Sequence, residues 1–283
     1  MVTAGVEQRS GVSAATTPSL LDRYEAKYLI PMQMIVPIVQ FIKPWCSYDK
    51  HSALSEDRFY KVNSLYFDTP DFLFLRQRLH KAEKRFNMRI RSYGDAPIFP
   101  YFFEIKQRLG DIIRKIRAEI NDPGYADHFH ISSILPEPDN DQKNNTHRDL
   151  FYLTASRYNA RPVVLVQYRR QAFFSNFDDY ARVTFDIDLR FRQQDSYDPI
   201  PVEEQMYHCQ SGFNGENNVV LELKCCKATV PAWMIDLIRT FQLKRQGFSK
   251  YSTCLKSAMG RNAVSELLLY HPSKCDSLLR EVL

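Results

Sequence analysis

The chain has 283 residues, 44% of them hydrophobic and 25% charged. That composition excludes a disordered or collagen-like chain and supplies enough apolar mass for a core without disulfide staples. The formal net charge of +5 suits a polyanionic partner without identifying one, so the positions of the charges carry the argument.

Residues 1–20 hold Ser, Thr, Ala and Gly but no apolar core of a signal peptide, and read as a disordered leader. Segment 22–30, DRYEAKYLI, alternates as a strand does, and a short helical stretch around 31–43 follows, interrupted by Pro37. Segment 62–68, VNSLYFD, is a strand. Thr69, Pro70 and Asp71 then open a helix to about Leu79, with Thr as cap, Pro at the first position and an acid in the first turn. Segments 85–93, 101–107 and 113–120 alternate as strands. The stretch 133–148, rich in Pro, Asp, Asn and Lys, reads as a solvated loop, and a helix runs from about Arg148 to Tyr158. Strands at 163–174, 180–190 and 218–225 precede helices at 231–243 and 249–259 and a helical tail, 263–283. Residues 21–262 thus form one α+β domain. About eight strands joined largely by short turns favour an antiparallel sheet, and their number favours closure into a barrel, a β-tunnel with flanking helices.

Six cysteines (Cys46, Cys209, Cys225, Cys226, Cys254, Cys275) form no CxxC motif and read as reduced thiols. No apolar run reaches the roughly 18 residues of a membrane-spanning helix. A cytoplasmic location is expected.

Strand side chains alternate between two faces. Glu25 and Lys27 share a face against Tyr24, Ala26 and Tyr28; Arg89 and Arg91 oppose Met88 and Ile90; Glu104 and Lys106 oppose Phe103 and Ile105; Lys115 and Arg117 oppose Ile116. Tyr168 pairs with Arg170; Arg182, Thr184, Asp186 and Asp188 oppose Val183, Phe185 and Ile187; Glu222 and Lys224 oppose Leu221 and Leu223. An ordinary sheet would turn its charged face to water. Here the motif ExK recurs at Glu25, Glu104 and Glu222, and helices with apolar residues such as Trp233, Ile235, Leu237 and Ile238 flank the strands. If helices cover the outside, the charged faces look inward. A lumen lined by cations must hold water, counter-ions or a polyanion, because unpaired buried charge costs several kcal/mol per ion. Arg presents a planar donor fork suited to phosphate and Lys adds point charge. The carboxylates among them call for a bridging divalent cation, Mg²⁺ or Mn²⁺. The cations form no basic run and no aromatic stacking platform is evident, which argues against nucleic acid.

In order along the chain, RYEAKYLI (23–30), SLYFDTPD (64–71), MRIRSYG (88–94), FEIKQR (103–108), YRRQAF (168–173), RVTFD (182–186), LELK (221–224) and FSKY (248–251) make the sequence resemble the polyphosphate polymerase, or vacuolar transporter chaperone (VTC), domain. That domain is a branch of the CYTH-like triphosphate tunnel metalloenzymes. The resemblance implies an eight-stranded tunnel in which the terminal phosphate of ATP is transferred to inorganic polyphosphate. It implies phosphate ligands at Lys27, Arg89, Arg91, Lys106, Lys115, Arg170, Arg182 and Lys250, a neutral donor at Ser249 and the metal on Glu222, with Glu25 and Glu104 helping through water. Arg89, Arg91, Lys106 and Arg182 are expected to hold the transferred phosphate, and Arg117 and Lys224 to add to its binding. Hydrolysis of triphosphate in the same tunnel, and non-catalytic binding of polyphosphate or inositol pyrophosphate, are the alternatives.

Two departures stand out. Arg23 replaces the first Glu of the ExExK that many tunnel enzymes carry, and Gly247 replaces a frequent Lys, which Lys244 or Arg245 would have to supplement. Eukaryotic relatives are attached to a membrane, so coupling to transport would require a separate membrane protein partner. Asp186 and Asp188 are candidate metal ligands, with Asp186 expected rather to pair with lumen arginines; Tyr66, Phe67, Trp45 and Trp233 are read as packing residues, and the histidines as without ligand spacing.

Overall fold

The computed structural model describes residues 23–260 apart from 111, 131–134, 211–212 and 214–215; the expected leader and tail lie outside the described residues. The strands are β1 (Arg23–Ile30), β2 (Cys46–Tyr48), β3 (Tyr60–Asp68), β4 (Lys84–Tyr93), β5 (Tyr101–Leu109), β6 (Ile112–Ile120), β7 (Arg161–Ser175), β8 (Arg182–Gln193), β9 (Tyr207–His208) and β10 (Val219–Cys226). The α-helices are α1 (Ile35–Ile42), α2 (Lys50–Leu54), α3 (Leu73–Leu79), α4 (Gln142–Tyr158), α5 (Ala232–Thr240) and α6 (Lys250–Met259). The fold is α+β. One antiparallel sheet runs in the order β1-β10-β8-β7-β3-β4-β5-β6, with β2 added on β7 and β9 on β8.

The expected closure into a barrel is not made: among the described residues β1 and β6 are the ends of the path. Part of each free edge is covered. On β1, Gln246 N donates to Lys27 O at 2.8 Å and Arg245 bridges Tyr28. On β6, Asn144 of α4 exchanges two hydrogen bonds with the Glu119 backbone at 2.7 and 2.8 Å, and His147 Nδ1 lies 2.9 Å from Arg117 O. Side chains and a loop thus satisfy edge groups that closure would otherwise pair. The sheet nevertheless rolls far enough that Lys106 Nζ of β5 reaches Glu25 Oε2 of β1 at 3.2 Å.

Helices cover the outer face, as the alternation requires. Phe151, Tyr152 and Ala155 of α4 pack with Phe103, Ile105, Ile116 and Ala118. Ile35, Ile38 and Ile42 of α1, with Trp233, Met234 and Leu237 of α5, pack on Ala26, Tyr28, Val183, Phe185, Leu221 and Leu223. Trp45 stacks on Trp233 at 6.3 Å, a packing role as expected, whereas Ile235 is exposed. The inner face changes character along its length. Val164, Val166 and Val220 pack against Tyr251, Cys254 and Leu255 of α6; two residues further on, the same faces of β7 and β10 carry Tyr168 and Arg170, and Glu222 and Lys224. α6 therefore fills one end of the rolled sheet and leaves the charged remainder open.

Three of the boundaries that differ from expectation have a local cause. Pro37 does not interrupt α1, because it sits in the first turn, where a missing N–H costs nothing. α3 starts at Leu73, since Phe72 takes a left-handed φ of 55°; Thr69 Oγ1 does accept from Leu73 N at 2.9 Å, but Asp68 accepts from Phe74 N and Leu75 N, each at 2.9 Å, and is the principal cap. α4 starts at Gln142 and not near Arg148, capped by Asp141, which accepts from Asn144 N at 2.9 Å. Its polar first turns resemble a loop in composition.

Candidate functional site

The period of two along seven strands brings the charged side chains to one cavity of about 900 Å³. Every residue expected at the site lines it: Glu25, Lys27, Arg89, Arg91, Glu104, Lys106, Lys115, Arg117, Arg170, Arg182, Glu222, Lys224, Ser249 and Lys250. The lining holds twelve Lys and Arg against four carboxylates. Two like-charged pairs sit directly opposite across neighbouring strands, Lys106 with Lys115 and Arg182 with Lys224. Sheets avoid such pairs, which repel at the close cross-strand distance. The buried Nε–H groups of Arg91 and Arg182 have no hydrogen-bond acceptor among the described residues. An anion would satisfy these donors and offset the like-charged pairs.

Glu104 on β5 is almost fully buried, and its carboxylate lies 2.6 Å from Arg89, 2.8 Å from Lys115, 3.7 Å from Arg117 and 3.9 Å from Arg91. Burial alone would raise its pKa; the cations around it hold it well below the usual carboxylate range. Burial pushes Lys115 down to about 8 in spite of Glu104, with Arg91 and Arg89 adding to the fall. Arg89 Nη1 also donates to Tyr66 Oη at 3.0 Å, so Tyr66 belongs to the cavity and not only to the core; Phe67 is core.

Asp186 is the second hub. Arg170 contacts it through Nε at 2.6 Å and Nη2 at 2.8 Å, and Lys250 Nζ lies 2.5 Å away. Burial would raise the Asp186 carboxyl, but Arg170 and Lys250 lower it to about 2. Asp186 does not itself face the cavity; it aims two cations that do. Both rest over the Tyr168 ring, Arg170 at 5.2 Å and Lys250 at 4.4 Å. Lys250 opens α6, and Ser249 is its N-cap, accepting from Ser252 N at 3.3 Å, so the positive end of a helix dipole faces the cavity as well. Asp188 leaves the shared face: a register shift between β7 and β8 turns it, at a φ of 52°, toward His208 and Arg190.

The third carboxylate group is Glu222 with Glu25, diagonal neighbours on the adjacent strands β10 and β1. Lys224 Nζ lies 3.3 Å and Arg170 Nη2 3.9 Å from Glu222, and Lys27 Nζ lies 3.5 Å from Glu25. Burial would raise the Glu222 carboxyl; Lys224 and Lys27 hold it well below its ordinary value. Two neighbouring carboxylates beside a cationic wall suit a hard divalent cation, which takes one or two carboxylates and completes its shell with other oxygens. Among the described residues no three His, Cys, Asp or Glu side chains cluster as a metal cage. Glu104 stands apart from this pair as a single carboxylate among Arg89, Arg91, Lys115 and Arg117.

Several lining residues escaped the strand-based reading. Arg78 comes from α3 and Lys50 and His51 from the short α2, where strand alternation has no bearing. Tyr60, Tyr93 and Phe102 form an aromatic rim, with His51 stacked 5.3 Å from Tyr93. Tyr93 continues the Arg89, Arg91 alternation and was legible by that rule. Lys244 and Arg245 do not line the cavity, and Arg245 instead lies over the Tyr24 ring at 5.5 Å.

The VTC domain family model matches residues 22–259. Subunit 4 of the vacuolar transporter chaperone complex of Trypanosoma cruzi is 23% identical over 331 aligned positions, which take in 97% of this chain but 39% of that protein. Among solved structures, a candidate adenylate cyclase from Bacillus halodurans aligns over 80% of this chain and 92% of its own, with 14% identity and a TM-score of 0.45. A candidate adenylyl cyclase from Hippeastrum, described as having a dominant triphosphatase activity, aligns over 88% and 100% with 13% identity and a TM-score of 0.44. No helix among the described residues is long and apolar enough to cross a membrane. The family match takes in every strand and covering helix that builds the cavity, and the chain belongs to the VTC domain family.

Proposed function

We propose that the protein is a polyphosphate polymerase, which transfers the terminal phosphate of ATP to a growing inorganic polyphosphate chain with Mn²⁺ or Mg²⁺ as cofactor. The observation that carries this reading is the excess of inward-facing cations, including two like-charged cross-strand pairs, around one cavity. Phosphoryl transfer demands positioning and neutralisation of charge more than covalent chemistry. Arg89, Arg91, Lys106 and Arg182 hold the phosphates that exchange. Arg170 and Lys250, aimed by Asp186, and Lys27, Lys115, Arg117, Lys224 and Ser249 bind the flanking phosphates. Glu104 fixes the cations around it. Glu222 with Glu25 would hold the divalent cation, which supplies neutralisation of triphosphate oxygens. The acceptor is a terminal phosphate oxygen already ionised at neutral pH, so a strong general base is not required. Attachment to a membrane protein partner belongs to the same proposal, by analogy with the complex of which the trypanosome relative is a subunit.

The test is incubation of the purified protein with ATP and Mn²⁺ or Mg²⁺, with and without a short polyphosphate primer, and separation of the products on a gel. Long polyphosphate with matching ADP is expected. Orthophosphate from triphosphate alone would make the protein a hydrolase, and tight polyphosphate binding without turnover would make it a sensor.

A further inference from the structure

Leu65 and Phe67 of β3 pack in the core with Phe103 and Phe151, so the period of two turns Tyr66 to the inner face. There it stands directly opposite Arg89 of β4. Its ring packs against Tyr251 at 5.1 Å, and the Tyr251 hydroxyl donates to Asp68, so tertiary contacts fix the direction of the phenol. Tyr66 is 5% exposed, yet it lines the cavity. Its oxygen accepts from Arg89 Nη1 at 3.0 Å. A phenol also has one hydrogen of its own to donate, and among the described residues no side chain or carbonyl accepts it. Burial alone would raise the phenol, but Arg89, Arg91 and Lys250 hold its pKa below the ordinary value. Arg78 of α3, another lining residue, is lowered by burial and drawn the other way by Tyr66. The Tyr66 hydroxyl is thus a buried donor without an acceptor, set among guanidinium and ammonium groups that would gather the oxygens of an anion.

Resting on the reading of the cavity as a phosphate site, we propose that Tyr66 is a further substrate-contacting residue, whose hydroxyl donates to an oxygen of the phosphate held by Arg89 and Arg91. Nearly all buried polar groups find a partner, and a phosphate oxygen supplies the one that this hydroxyl lacks. A neutral donor adds direction without adding charge to a wall that already carries like-charged pairs, and a bond to an ionised oxygen belongs to the stronger class. The contact is a hydrogen bond and nothing more. The proton stays on the phenol, because a phosphate oxygen is a far weaker base than a phenolate, so no acid or base step is added to the transfer.

The experiment is isothermal titration of inorganic triphosphate into the unmodified protein, Tyr66→Phe, Arg89→Gln and the double variant. Tyr66→Phe keeps the ring and its contact with Tyr251. It should melt close to the parent without ligand and bind triphosphate about tenfold more weakly. That loss should persist in the Arg89→Gln background; if it disappears there, Tyr66 merely positions Arg89 and the proposal fails. Phenolate absorbance in alkaline solution gives a second readout. Bound phosphate returns an ionised Tyr66 to its neutral form, since a nearby anion and a donated hydrogen bond both favour the phenol. Tyr93, whose phenol burial would raise but Arg91 and Arg117 hold below its ordinary value, is replaced by Phe in these samples so that it does not contribute. Triphosphate should diminish the phenolate band of the Tyr93→Phe protein and leave that of the Tyr66→Phe, Tyr93→Phe protein unchanged. Equal affinity of Tyr66→Phe and parent overturns the contact and leaves the cavity reading intact. A band that triphosphate leaves unchanged in the Tyr93→Phe protein does the same, however Tyr66→Phe folds. A parent that binds no triphosphate overturns both.

Discussion

Lys115 shows how a single cation can report on the cavity. Its pKa is pushed down to about 8 by burial, while a lysine ordinarily titrates at 10.5. A bound phosphate restores the preference for the charged form, so between these two values binding takes up a proton and affinity falls as pH rises. Below about 7 the side chain is already charged and affinity should be flat. Lys115→Arg keeps the charge throughout and should remove most of the slope; equal slopes in both proteins, measured as polyphosphate Kd from pH 6.5 to 10, would assign the titration elsewhere. Glu222→Lys is the complementary test. It puts a cation where the carboxylate pair stands, and should abolish metal-dependent turnover while anion binding persists. Retained turnover would remove Glu222 from the metal. Gly247 is a third case. A Cβ built there meets no heavy atom within 4 Å and the backbone is outside the left-handed region, so Gly247→Lys should leave the melting temperature unchanged. If the family's usual lysine acts from this position, the substitution should tighten polyphosphate binding.

At the scale of elements, what was legible depended on period. Strands such as β4 and β5, with Arg89, Arg91, Glu104 and Lys106 on one face and Met88, Ile90, Phe103 and Ile105 on the other, carry both their conformation and their orientation in the alternation. Helical contributors do not. Arg78 is one residue on a short helix, and nothing in its neighbours marks it as inward-facing. The first turns of α4 resemble a loop because Gln142 to Thr146 are polar, and Asn144 and His147 use that polarity to cover the β6 edge. The junction of α3, α6 and β3 is likewise a tertiary construction. Asp68 accepts from Thr69 N at 2.7 Å, from Phe74 N and Leu75 N at 2.9 Å, and from the Tyr251 hydroxyl. Tyr251→Phe leaves that buried carboxylate one donor short, at a cost of about 1–3 kcal/mol. Urea unfolding with an unchanged m-value would measure it, and a cost near zero would mean that the backbone donors suffice. Tyr251 adjoins Lys250, so the same variant should loosen the proposed phosphate site and raise KM more than it lowers kcat.

For the molecule as a whole, the open sheet and the charged cavity are connected. The expectation of a closed barrel rested on strand number, but edges can also be satisfied by α4 side chains and by the segment before α6, as they are at β6 and β1. The two halves of the wall then meet through Lys106 and Glu25, an ion pair whose members are partly exposed, and twelve cations face one another across the space between. Such a wall repels itself when free and is drawn together when an anion fills it. Salt should therefore act with opposite signs. In the free protein, added NaCl screens the repulsion and should raise the melting temperature. In the presence of long-chain polyphosphate, the same salt competes for the cations and should lower it. At a ligand concentration a hundredfold above Kd, linkage adds about 2.7 kcal/mol, or roughly 5–10 °C for a domain of this size. Melting curves across a salt series, with and without polyphosphate, would show two lines that converge. Parallel lines would mean that the bound anion does not engage the inward cations, and the cavity would lose its standing as the site.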